Sequence, residues 1–198
     1  MSGTNARAHG VRCVSLLGAV SVFLIHQSPK AGDIIVSSER IRRSIKPGLR
    51  VIESSLAVYP EHRTCFSCHH QTLPMQAMSI AQKHGFEING ELFREQTELT
   101  VASVKPRISG LREGTGIGGK SMTVGFGLWT LDLGGWGSNA TTDAMIEYLL
   151  KNQERDWHFE NHIDRPPLED STITGTVIAA YYMQKLGGGH QHPERENN

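Results

Sequence analysis

From Pro47 onward, apolar residues recur at intervals of three and four, the spacing of one face of an α-helix. Leu49, Ile52, Leu56 and Tyr59 form the first such series, and Pro47 suits its first turn. A second helix is predicted from Pro74, burying Met75, Met78 and Ala81 or Ala77 and stopping at Gly85. Asn89 is placed to cap a third, which runs to about Val104, before Pro106. A glycine-rich connection, Gly110 to Gly119, leads into Ser121–Leu133, with Met122, Phe126 and Trp129 on one face and Gly134-Gly135 at its end. Ser138 or Thr141 opens a fifth helix with Met145, Tyr148 and Leu149 facing inward. The sixth begins at Asp170-Ser171 and aligns Ile173, Val177, Ala180 and Tyr181 as its inward face. No segment reads as a good strand. The expected fold class is therefore all-α: six helices, joined in pairs, predict stacked αα-hairpins across residues 38–186, with a polar, disordered tail at 187–198.

The N-terminal 32 residues follow a different pattern. Arg7, His9 and Arg12 precede an apolar run from Cys13 to Ile25, and a polar stretch with Pro29, Lys30 and Asp33 follows. That order is the pattern of a secretory signal peptide, and the run is short for a membrane span; an uncleaved N-terminal anchor is the alternative. Either way the expected location is periplasmic or secreted. About 165 of the 198 residues then remain, enough for one domain with a core of its own. Twenty Lys and Arg balance twenty Asp and Glu, so no net charge draws the chain to nucleic acid.

Of the three cysteines, two would outlast cleavage, and they stand in Cys65-Phe66-Ser67-Cys68-His69. CxxCH is the attachment pattern of c-type haem: two thiols three residues apart lie on one side of a turn and each can form a thioether, and the adjacent histidine reaches the iron. Export agrees with that chemistry, and electron transfer or redox sensing, with a redox protein as partner, is the function it implies. Met75, Met78 or His84 would supply the opposite axial ligand, although both methionines equally suit a helix core. Two other occupants remain open. An oxidising compartment favours a CxxC disulfide or redox pair, and His62, Cys65, Cys68 and His69 or His70 are residue types that suit tetrahedral zinc.

Three segments carry a resemblance. Tyr148-Leu149 and Gln153 followed by Trp157 resemble the QW repeat of squalene cyclases, with Glu154-Arg155-Asp156 where that repeat carries a glycine before the tryptophan. Arg165-Pro166-Pro167-Leu168-Glu169, with Ser171, Ile173 and Thr176, looks like a segment of squalene-cyclase-like and prenyltransferase-like repeat proteins. Cys65 through Gln71 looks like a signature of exported members of that group. The resemblance implies part of an α/α toroid of the terpenoid cyclase superfamily. It also implies a glutamine side chain that bonds the backbone of the turn after its helix, with a tryptophan stacked on it to staple adjacent hairpins. Six helices are too few to close such a ring, and an arc leaves apolar faces for a second copy or a partner.

Catalysis does not transfer with the resemblance. The DxDD acid motif of squalene–hopene cyclases is missing, and the zinc ligands of prenyltransferases have no match. A cyclase or prenyltransferase-like enzyme acting on an isoprenoid or other apolar substrate is the alternative class. Trp129, Trp136, Trp157, Phe126, Tyr181 and Tyr182 would then line its cavity, although as a set they equally suit inter-helix core. A scaffold whose CxxC is a structural disulfide or zinc site is the third. Gly114 through Ser121 matches the P-loop pattern GxxxxGK[ST], but Pro106 and Gly110 interrupt the charged segment before it where a buried strand should stand, so no nucleotide is expected.

Overall fold

The computed structural model describes residues 37–160 and 171–187, and the unit that contains them runs from Ser37 to the end of the chain. The expected leader or anchor, the Arg165–Asp170 part of the resemblance and nearly all of the expected tail lie outside the described residues.

Among the described residues the chain is all-α, with no strand. The helices are α1 (Ser38–His62), α2 (Leu73–Lys83), α3 (Gly90–Val104), the single-turn α4 (Ile108–Arg112), α5 (Lys120–Leu133), α6 (Ala140–Asn152) and α7 (Thr172–Leu186). A π-helical turn, Cys68–Thr72, leads directly into α2.

Their boundaries follow from local chemistry. The Asn89 side chain accepts the Glu91 N–H and starts α3, as expected. Asn139, rather than Ser138 or Thr141, caps α6: its side chain accepts the Thr141 N–H while the Thr142 hydroxyl accepts the Asn139 N–H. Ser171 caps α7 through the Thr174 N–H.

Two expectations are corrected. Pro47 lies inside α1, because Ser37 caps the helix a full two turns earlier, where its hydroxyl accepts the Arg40 N–H. Arg42 then anchors that added length: its guanidinium donates to the His84 and Gly85 carbonyls and lies 4.4 Å from the Phe86 ring centre. The inward face of α7 is also different. Ile173, Val177 and Tyr181 are 76%, 62% and 51% exposed, and Ala180 is exposed too. Gly175, Ala179 and Tyr182 are buried instead. Small residues win that face because α7 lies tightly on α5; a Cβ on Gly125 would sit 3.0 Å from a methyl carbon of Ile178.

Helix α5 is the hub and packs against α2, α3, α6, α7 and the π-turn. One core cluster gathers Val124, Leu128 and Leu131 of α5 with Met145, Ile146 and Leu149 of α6. A second joins Leu49 and Leu56 of α1 to Met75 and Met78 of α2, with Phe86 and Leu92. A small third cluster joins Cys68, Met122 and Phe126.

Candidate functional site: the Cys65–Cys68 loop

Hydrogen bonds from α1, α3 and the π-turn hold the backbone of this loop. The Tyr59 hydroxyl on α1 donates to the Cys65 carbonyl at 2.9 Å. The Phe66 N–H donates to the Ser103 hydroxyl on α3 at 3.1 Å. The Ser67 N–H donates to the Gln71 side-chain oxygen at 2.7 Å, and the Gln71 N–H returns to the Ser67 carbonyl at 3.1 Å. Gln71 is itself fully buried, and its amide nitrogen reaches the Gln96 carbonyl and the Thr100 hydroxyl. Thr72 completes the anchorage by bonding the Thr130 hydroxyl at 2.6 Å and the Phe126 carbonyl at 3.1 Å. Unsatisfied polar groups at such depth would each cost about 1–3 kcal/mol, so this network fixes one conformation of the loop.

The loop presents its two sulfurs differently. Cys65 is exposed, whereas Cys68 is 4% exposed and packed with Met122 and Phe126. Both side chains are thiols. His69 and His70 are exposed, with ring centres 5.7 Å apart. His70 stacks on Tyr59 at 5.3 Å and bonds the Ser67 hydroxyl at 3.3 Å, so it turns away from its neighbour's role. Burial, and then the neighbouring Cys65, hold the Tyr59 phenol above its ordinary range.

A cavity of about 210 Å³ opens beside Cys65, lined by Phe66, Val104, Ile117 and Arg107 among others. Pockets that enclose a drug-sized ligand run to about 300–1,000 Å³. Thioether attachment needs both sulfurs at one edge of a porphyrin, and here one lies at the surface and the other beneath Phe126. Met75 and Met78 are fully buried in the α1–α2 cluster, which is separate from the one holding Cys68, and His84 is exposed beyond the far end of α2. The structure thus does not gather His69, Met75 and Met78 into one ligand set. Nor, among the described residues, do any three His, Cys, Asp or Glu side chains form a group that could hold a metal ion, the His62, Cys65, Cys68, His69 and His70 set included.

Other residues singled out by the sequence scatter. Gln153 donates its side-chain amide to the Trp157 carbonyl at 3.0 Å, so it bonds the turn after α6. Trp157 itself is 57% exposed and takes a left-handed backbone, φ 74°, a conformation that ordinarily favours glycine. Trp129, Tyr181 and Tyr182 border a cavity of about 430 Å³, together with the Asp132–Lys185 ion pair. Phe126 is core, and Trp136 packs against the main cluster. The Gly114–Ser121 segment follows α4 and enters α5, with no strand before it among the described residues.

Sequence reasoning missed the groups that hold the loop, namely Gln96, Thr100, Ser103 and Thr130. Only their helical register on α3 and α5 offered a signal, since polar residues on an inward face are unusual without partners.

Comparison with family models, curated proteins and solved structures finds no match.

Proposed function

We propose that this chain is an exported helical-repeat module, part of an α/α toroid built from αα-hairpins, in which Cys65 and Cys68 act as a dithiol/disulfide redox pair. The observation that carries the reading is the unequal exposure of two thiols three residues apart in a loop pinned from α1 and α3. Thiol–disulfide exchange needs one accessible attacking sulfur and one sheltered resolving sulfur. Cys65, as thiolate, attacks a disulfide of a partner polypeptide to form a mixed disulfide and release one partner thiolate. Cys68, as thiolate, then attacks the Cys65 sulfur and releases the second. The partner gains two electrons and two protons, and the pair becomes a disulfide. Packing of consecutive helices, α5 on α6 and α6 on α7, supports the hairpin reading.

Intact mass and trapping test the pair. Purified protein exposed to glutathione disulfide should lose two hydrogens, Cys68→Ser should retain one glutathione adduct, and Cys65→Ser should retain none. Equal adducts on both single variants would overturn the proposal. So would a covalent haem-sized addition after expression with a haem-maturation system, the result that the CxxCH motif alone predicts.

A second reading is favoured by one observation, the cavity bordered by Trp129, Tyr181 and Tyr182. It would bind an apolar substrate there, and Tyr181→Ala, which removes an exposed ring, should abolish turnover of polyprenyl or triterpene substrates without unfolding the protein. Absence of turnover in the unaltered protein ends that reading.

A further inference from the structure

The cavity of about 210 Å³ beside Cys65 is built largely from stretches of chain outside the cysteine motif. Val104 comes from the end of α3, Arg107 from the 3₁₀ turn Lys105–Arg107 that follows it, and Ile117 and Gly118 from the loop before α5. Phe66 adds a further apolar wall. Among the described residues that line the space, Arg107 alone carries a charge, and no carboxylate lines it.

Arg107 is exposed, and its guanidinium donates to the Ser103 carbonyl one turn back. That bond uses one of the group's five N–H donors and holds the others at the cavity. No carboxylate pairs with Arg107 among the described residues. Gly118 keeps the space open: nothing lies within 4 Å of where its Cβ would be, and its φ lies outside the left-handed region.

A space this small takes one side chain rather than a whole ligand, since drug-sized pockets run to about 300–1,000 Å³. It adjoins the exposed sulfur, so its occupant is attached close to the atom that Cys65 attacks. Consecutive Cα atoms lie about 3.8 Å apart, so only near neighbours of an attacked cysteine can reach it. A cation with no carboxylate beside it makes an acidic occupant the complementary one.

We infer that the redox pair acts on acidic polypeptide disulfides: a carboxylate within two residues of the attacked cysteine enters the cavity and pairs with Arg107, which sets the specificity. The inference rests on the dithiol reading above. The Cys65 thiolate bonds one partner sulfur, the partner's S–S bond breaks, and its other sulfur leaves as a thiolate. Arg107 orients the partner and takes up neither electrons nor protons.

Exchange kinetics with two peptide disulfides test this. The probes are the oxidised dimers of acetyl-Glu-Cys-Glu-amide and acetyl-Gln-Cys-Gln-amide, with hydroxyethyl disulfide as a small uncharged control. Each rate is divided by that of free dithiothreitol with the same probe, which cancels the peptides' own reactivity. The unaltered chain should prefer the acidic dimer about fivefold at low salt, the upper range for an exposed ion pair. Arg107→Gln should abolish that preference and Arg107→Lys should keep most of it. Lys105→Gln, at an exposed cation that does not line the cavity, should leave it unchanged. Gly118→Leu fills the space and should slow both peptide dimers while sparing hydroxyethyl disulfide. No preference in the unaltered chain, or one that survives Arg107→Gln, would overturn the inference and leave the redox pair standing. A chain whose Cys65 does not react with hydroxyethyl disulfide would instead end the redox reading, and this inference with it. Faster exchange with glutathione disulfide than with the acidic dimer would overturn the assignment to a polypeptide.

Discussion

Helix α5 buries nine of its fourteen residues and α1 two of its twenty-five, so the longest helix is the one least committed to the core. α5 packs against α2, α3, α6, α7 and the π-turn, and its stability comes from that packing. α1 is held by Leu49 and Leu56 and by polar staples at its surface: Arg42 to two carbonyls, Glu53 to the Asn89 N–H, Tyr59 to the Cys65 carbonyl. The difference teaches where function has room. The cysteine loop lies against α1, on the loosely committed side of the molecule, while the α5–α6 side supplies a rigid backing.

The sharpest way to break this comparison is to cut into each helix. Leu128→Ala in α5 should lower stability by about 2–5 kcal/mol in urea unfolding, whereas Val51→Ala, at a site 71% exposed on α1, should change it by less than about 0.5 kcal/mol. Comparable losses at both sites would show that α1 is as deeply committed as α5.

A second cut tests the close approach at the end of α5. A Cβ on Gly134 would lie 2.9 Å from the Thr97 Cβ and still closer to its hydroxyl oxygen. Gly134→Ala should therefore cost about 1–3 kcal/mol, and Thr97→Ala introduced with it should recover part of the loss. Next in size is the loop network. Gln71→Leu leaves the Ser67 N–H without its partner, so it should cost about 1–3 kcal/mol and speed alkylation of Cys68 relative to Cys65. Unchanged labelling of Cys68 would show that its shelter does not depend on Gln71.

Alkaline pH sharpens the comparison without a mutation. Burial, then Asp132, hold the Tyr182 phenol far above its ordinary range, burial raises Tyr148, and the hydrogen bond from Asp132 raises Lys185. A raised folded value gives stability that is complete below the unfolded value, about 10 for tyrosine and 10.4 for lysine, and lost as pH climbs toward the folded one. The α5–α7 side should therefore loosen above about pH 10, and Tyr182→Phe should move the midpoint upward. The smallest effect belongs to the ion pair itself. Lys185→Ala should cost at most about 1 kcal/mol, since Lys185 is 41% exposed and water screens it from Asp132.

How far each element was legible depended on what set it. Met75, Met78 and Ala81 were readable as the inner face of α2, and Met145, Tyr148 and Leu149 as that of α6, because apolar burial has a helical period. The same period misled at α7. Ile173, Val177 and Tyr181 make the stronger apolar stripe, yet the close approach of α5 admits only the Gly175 and Ala179 side. At the cysteine loop the motif was legible but its presentation was not. Nothing in CxxCH says that Phe126 will cover one sulfur and leave the other at the surface.

The amino-acid order alone determined the all-α class, most helix starts and ends, and the place where paired thiols sit, because caps, glycines and periodic burial are local in the chain. Only the tertiary structure decided which stripe of α7 turns inward, which thiol is sheltered, and where an apolar groove stays open between α1 and α2. Each of those rests on contacts between residues tens of positions apart, such as Ser103 on the cysteine loop or Phe86 on α1. Such contacts depend on shape and distance in three dimensions, which no local pattern encodes.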